Sequence, residues 1–131
     1  MKKKISLFLL FVMSVFLTAC SPDVIRLTEM DNGKKITCSP EDTIIIELPG
    51  NPTTGYTWMQ ERVPSDSVLV LSREVFVQLK KDRNLVGAPG VSHFEYVVSG
   101  KGEEGIKLIY HRRWETNKQP IGKFEVLVHS K

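Results

Sequence analysis

What most constrains this chain is the recurrence of apolar side chains at every second position. Phe94, Tyr96 and Val98 share one face of an extended backbone, as do Ile106, Leu108 and Tyr110, and then Phe124, Val126 and Val128. Successive side chains of a strand point to opposite faces, so each run describes a strand with one apolar face. Val75, Val77 and Leu79 alternate in the same way with Phe76, Gln78 and Lys80, and Tyr56 and Trp58 form a shorter pair. No window carries a helical period. Turn residues separate the runs at Ser39-Pro40, Pro49 to Pro52, Pro64-Ser65, Gly87 to Gly90, Gly100 to Gly105 and Asn117 to Pro120. Short strands at this spacing predict an all-β fold, and seven to eight of them in about 100 residues predict an immunoglobulin-like β-sandwich. That domain is expected from about Gly33 to Lys131, one unit with a single core.

The first nineteen residues are of a different kind. Lys2, Lys3 and Lys4 precede an almost wholly apolar stretch from Ile5 to Leu17, the pattern of a secretory signal rather than a membrane span. The stretch ends in Leu17-Thr18-Ala19-Cys20, which resembles the lipobox of bacterial lipoproteins. The resemblance implies cleavage before Cys20, lipid on its thiol, and a mature chain anchored to the bacterial cell envelope rather than spanning a membrane. Ser21 after the Cys favours the outer membrane in a Gram-negative host. Residues 20–32, polar at both ends and carrying Pro22, are expected to be a tether leading to the turn Asp31-Asn32-Gly33.

Removing the signal changes the charge balance. The whole chain has 18 Lys and Arg against 15 Asp and Glu; without Lys2, Lys3 and Lys4 the two counts are equal. No basic stripe is left, so a nucleic-acid partner is not expected. With Cys20 lipidated, Cys38 has no partner for a disulfide, and its place at the end of Lys35-Ile36-Thr37 predicts a buried, inert thiol.

Three connections carry the functional signal. Asn51-Pro52-Thr53-Thr54-Gly55-Tyr56 lies between an apolar run (Thr43 to Leu48) and an alternating one. Pro52 fixes its own φ and extends Asn51, and the two Thr side chains are stiff. Such a loop presents two hydroxyls and bare backbone with little entropy to lose on binding. Asn84 to Val91 is built of small residues, so its backbone can approach another surface, with Leu85 or Val86 adding an apolar contact. It is a poor phosphate cradle, since no Lys-Ser/Thr pair and no helix follow Gly90. Tyr110 to Glu115 ends a strand with Arg112, Arg113 and Trp114, the residue types that most often anchor interfaces. Trp114 is therefore expected to be exposed, and Trp58, inside a strand, to be core.

Taken together, the three loops resemble those of the chagasin family, protein inhibitors of papain-like cysteine proteases. Asn51 to Tyr56 looks like the family's Asn-Pro-Thr-Thr-Gly-Phe/Tyr motif. Gly87-Ala88-Pro89-Gly90 is similar to its glycine-rich second loop. Arg112-Arg113-Trp114 resembles its Arg-Pro-Trp/Phe motif, in the same order and at similar spacing. The resemblance implies a sandwich whose three loops form a wedge that occludes a protease cleft, with Thr53 and Thr54 nearest the catalytic Cys-His pair. Trp114 would pack on one side and Leu85, Val86, Gly87, Ala88, Pro89 and Gly90 on the other. Two positions depart from the pattern: Arg113 stands where the family has Pro, and Pro89 interrupts the glycine-rich loop.

An enzyme is not expected. His93, His111 and His129 lie at strand ends without metal-ligand spacing, and Glu103-Glu104 falls in a Gly-rich turn as a solvated pair. Neither a cofactor nor a metal is implied, and nothing requires more than a monomer. The competing reading is a non-inhibitory, lipid-anchored binding module using the same loops for another protein or a cell-surface ligand, because sandwiches host many functions.

Overall fold

The structure, a computed structural model, describes residues 20–62, 64, 68–79 and 88–131. Eight strands account for most of them: β1 (Val24–Thr28), β2 (Lys35–Cys38), β3 (Thr43–Gly50), β4 (Tyr56–Gln60), β5 (Leu69–Gln78), β6 (Gly90–Val98), β7 (Gly102–Arg112) and β8 (Gly122–Ser130). Single 3-10 turns occupy Glu29–Asp31 and Pro52–Thr54. The strands form two four-stranded sheets, in the orders β1-β3-β6-β5 and β2-β8-β7-β4. Only the two outer N-terminal strands, β1 on β3 and β2 on β8, pair in parallel. This is an immunoglobulin-like sandwich.

The alternating runs become its filling. Ile44, Ile46 and Leu48 of β3 and Phe94, Tyr96 and Val98 of β6 face Ile106 and Leu108 of β7 and Phe124, Val126 and Val128 of β8, all of them buried. Burying each such side chain contributes about 1.5–3 kcal/mol, so these runs are the main reason the two sheets stack. The one buried phenol, Tyr96, donates to Gln60 Oε1 at 3.2 Å, which meets the need of a polar group in that core. In β5 the alternation changes phase at a bulge between Leu71 and Arg73. Leu69 and Leu71 point inward, whereas beyond the bulge Val77 lies on the outer face and is exposed.

Two expectations are corrected. Residues 20–32 are not a free tether: Val24–Thr28 is a strand of the first sheet, and Leu27 is only 3% exposed. Asp42 fastens this strand's start, accepting the Asp23 N–H at 2.9 Å and the Ser39 N–H at 2.8 Å, while Thr43 N–H donates to Asp23 O at 2.9 Å. A short, polar-flanked segment pairs there because β3 offers an open edge, which its own sequence does not reveal. Likewise Glu103 and Glu104 belong to β7 rather than to a turn, and Glu103 accepts from Lys35 Nζ at 2.6 Å. That partner holds its carboxyl below the ordinary value.

Strand register brings three connections to one end. In the first sheet Gly50 pairs with Gly90, and Gly90 with Gln78. In the second, Tyr56 pairs with Arg112 and Tyr110 with Gly122. The connections 51–55 and 113–121, and the described ends of the connection after β5 (Leu79 and Ala88-Pro89), therefore lie together at one end of the sandwich. The chain enters β1 at the opposite end, where Val24 lies beside Thr43 and Thr43 beside Val97.

Candidate functional site

The loop 51–55 is a closed hydrogen-bonded unit. Asn51 Oδ1 accepts from the Thr53 N–H at 3.2 Å and from the Thr53 hydroxyl at 2.6 Å. The Thr54 hydroxyl donates to Asn51 O at 2.7 Å, and the N–H groups of Thr54 and Gly55 close the 3-10 turn on Asn51 O and Pro52 O. Pro52 sits at the first position of that turn, where its missing N–H costs nothing, and Gly55 ends it at φ 84°. Both Thr hydroxyls were expected to be offered to a partner. Each has instead spent its proton inside the loop, so the exposed Thr53 and Thr54 present methyl groups and oxygen lone pairs.

Beneath the loop, the inward face of the second sheet is aromatic. Tyr110 lies between Tyr56 and Trp58, with ring centroids 5.6 and 5.1 Å away. Its hydroxyl oxygen accepts the Asn51 N–H at 3.0 Å, and the Trp58 indole N–H donates to Pro49 O at 2.9 Å. Trp58 is packed against the core as expected, but it is half-buried and also holds the loop's entrance. Tyr110 was read only as a strand residue; nothing local in the sequence shows that its hydroxyl reaches a loop 59 positions away.

The connection after β7 leans on the first loop. Arg112 donates from Nε to Thr54 O at 3.1 Å, and its guanidinium lies 4.3 Å from the Tyr56 ring centroid. Trp114 is 68% exposed, yet its indole covers Gly55: a Cβ there would come 2.8 Å from Trp114 Cζ2 and closer still to Cη2. Arg113 is exposed, and among the described residues its side chain makes no ion pair. Pro52, Thr53, Thr54, Thr57, Arg113 and Trp114 line an open groove of about 620 Å³ between the two loops.

The second connection contributes differently. Leu85, Val86 and Gly87 lie outside the described residues. Ala88 is 5% exposed and Gly90 is buried as the first residue of β6, so of the three described residues only Pro89 reaches the surface. Gly90 serves internal packing: a Cβ there would collide with Phe76 and with Val77 O. His111 bonds through Nε2 to Lys118 O at 2.9 Å. Among the described residues no group of three or more His, Cys, Asp or Glu is placed to hold a metal ion.

Cys38 is 6% exposed and burial raises its pKa above the ordinary thiol value, with Asp42 adding to the effect. A thiol in that state is a packing residue and not a nucleophile. Cys20 is exposed. Among the described residues no helix is long and apolar enough to cross a membrane.

A β-sandwich that presents an exposed indole and a rigid Pro-Thr-Thr turn from neighbouring loops defines a loop-borne protein-binding domain. The chain belongs to the chagasin family of peptidase inhibitors, I42, whose sequence profile matches residues 37–128. Chagasin of Trypanosoma cruzi is 30% identical over 105 residues, which span 77% of this chain and 93% of chagasin. Amoebiasin-1 of Entamoeba histolytica is 36% identical over 92 residues, 70% of this chain and 85% of the relative. Among solved structures, the E. histolytica cysteine protease inhibitor EhICP2 superposes with a TM-score of 0.75 at 28% identity, covering 83% of this chain and 96% of that one.

Proposed function

We propose that this chain inhibits papain-like cysteine proteases reversibly and competitively, by filling the active-site cleft with the three loops. The observation that carries the reading is the locking of the first and third loops into one surface by Arg112 on Thr54 and by Trp114 on Gly55. A surface already ordered loses little entropy on binding. The catalytic thiolate–imidazolium pair of such proteases is charged. Thr53 and Thr54 bring methyl groups and neutral oxygens beside it, and the absence of an acidic side chain between Asn51 and Tyr56 avoids repulsion. Trp114 supplies the apolar anchor. The backbone near the thiolate is tied into the turn Pro52–Thr54, an arrangement unlike the extended peptide a protease cleaves.

The test is prolonged incubation with active papain followed by mass spectrometry. Intact inhibitor, no covalent adduct, and undiminished binding to papain whose catalytic Cys is capped are the expected results. Clipping between Asn51 and Tyr56 in step with loss of inhibition, or an acyl-enzyme, overturns the reading.

The proposal extends to location: the mature chain is anchored in a bacterial envelope through Cys20. Processing would hydrolyse the Ala19–Cys20 peptide bond. The Cys20 sulfur would lose its proton as it forms a thioether to the glyceryl carbon of a phospholipid, whose phosphate headgroup leaves. The motif Leu17-Thr18-Ala19-Cys20 supports this, and so does the exposure of Cys20. The geometry gives the anchor a consequence. Only Ser21, Pro22 and Asp23 separate Cys20 from β1, a reach of about 14 Å at most. An 11-residue strand such as β7 is about 35 Å long. A leash this short, fixed at the end opposite the loops, does not let the domain invert, so the loops point away from the bilayer. Wild-type protein should fractionate with membranes and Cys20→Ala should be released or left unprocessed; soluble wild-type protein beginning at Met1 contradicts the anchor.

A further inference from the structure

The turn that carries Trp114 is held without the proline that the family pattern places in it. Glu115 N–H donates to Arg112 O at 3.1 Å, which makes residues 112–115 a hydrogen-bonded β-turn with Arg113 and Trp114 at its centre. Among the described residues Glu41 is the only non-glycine with positive φ, so both central residues have negative φ and the turn is type I. Its second position, Arg113, is where proline is most at home. The site would accept one. Arg112 before it is the extended last residue of β7, the backbone that a following proline favours. An arginine in this position leaves φ unrestrained, and the family's device for keeping the turn is missing.

A different device occupies the next position but one. The Glu115 side chain is only 15% exposed although it belongs to a surface turn. Its Oε1 accepts from Arg112 Nη1 at 3.3 Å and from Lys118 Nζ at 2.9 Å. Lys118 N–H in turn bonds Glu115 O at 3.4 Å, and Lys118 O takes the His111 ring. One carboxylate thus ties Arg112 at the start of the turn, the residue that also holds Thr54 O, to Lys118 beyond its end. We propose that Glu115 is a positioning residue: through Arg112 and Lys118 it fixes the turn that presents Trp114, in place of a proline at 113. The functional arm of this inference rests on the inhibitory reading above; the structural arm does not.

The test is a double-mutant cycle between Glu115→Ala and Arg113→Pro, read by papain inhibition and by backbone amide order parameters. Glu115→Ala alone should weaken inhibition about tenfold and take the amides of Trp114 to Asn117 from about 0.85 to below about 0.6, with the strands unchanged. In the Arg113→Pro background the same substitution should cost about twofold or less and leave the turn ordered. Should Glu115→Ala fail to fold, Glu115→Gln, which keeps the shape and removes the charge, carries the same comparison. An equal loss in both backgrounds, or no change in order parameters with Glu115 removed, overturns the proposal. If wild-type protein does not inhibit papain at all, the inhibitory reading falls, and the order parameters still decide the role of Glu115.

Discussion

The indole of Trp114 lies on the bare backbone of Gly55, so two loops separated by 57 residues of chain (Tyr56 to Arg112) share one surface. Gly55 is required twice, for its φ of 84° and for the space the indole fills. Gly55→Ala should therefore weaken papain inhibition by about tenfold or more as Trp114 is displaced. Gly33→Ala is the control: it has a similar φ of 83° and nothing within 4 Å of a new Cβ. Both should cost about 1 kcal/mol of stability through backbone strain. Inhibition constants and melting curves for the pair separate the two effects, and equal inhibition by both variants contradicts the coupling.

Trp114→Ala removes the most exposed aromatic of the loop end. Expected is a loss of about 2 kcal/mol in protease binding, roughly thirtyfold, with the melting temperature shifted by less than about 2 °C. A core tryptophan would behave in the opposite way, costing about 3–5 kcal/mol of stability on truncation. Trp58→Ala, half-buried on the core and bonded to Pro49 O, should fall toward that second pattern.

Acidification should loosen the third loop before it unfolds the domain. The Lys118 ammonium, and to a lesser degree Arg112, hold the Glu115 carboxyl below its ordinary value of 4.5. A depressed folded value means the contribution is complete above 4.5 and is lost as pH falls through the lower, folded value. The advantage of wild type over Glu115→Gln in binding capped papain should thus be constant from about pH 7 to pH 5 and shrink as the pH falls below 4.5. A gap that widens on acidification would contradict that assignment.

The Cys38 thiol should be silent in the folded protein. Its pKa is raised above 9.0 and its sulfur sits 3.8 Å from His129 O inside the sandwich. Native protein carrying Cys20→Ser should react with a thiol reagent at least about a hundredfold more slowly than the same protein in denaturant. Equally fast labelling in both states would place Cys38 at the surface.

The strands and the loops were legible in the sequence for one reason: local pattern. Phe94-Tyr96-Val98 and Phe124-Val126-Val128 alternate because each strand buries one face, and Asn51-Pro52-Thr53-Thr54-Gly55 spells its own turn through proline, short side-chain acceptors and glycine. The strand Val24–Thr28 was not legible: Ile25 and Leu27 do alternate inward, but two inward apolar positions in five residues are too short a pattern to mark a strand, and it pairs in parallel with β3, a partner 19 residues away. The change of phase in β5 was hidden for a related reason, since a bulge leaves no mark in the residue types on either side of it.

What the sequence by itself determined was the composition of each surface element: an all-β core, a stiff Thr-bearing turn, a tryptophan beside two arginines. Tertiary structure alone decided how they act together. Antiparallel register set Tyr56 against Arg112 and Gly50 against Gly90, which gathers the connections at one end. It also spent the Thr53 and Thr54 protons within their own loop, buried Ala88 and Gly90, and turned Tyr110 and Glu115 into supports for residues far off in the chain or across a turn. The physical reason is that periodicity and turn propensity act between near neighbours. A hydrogen bond such as Arg112 Nε to Thr54 O depends on where two strands stop, and that is fixed only when the whole sandwich closes.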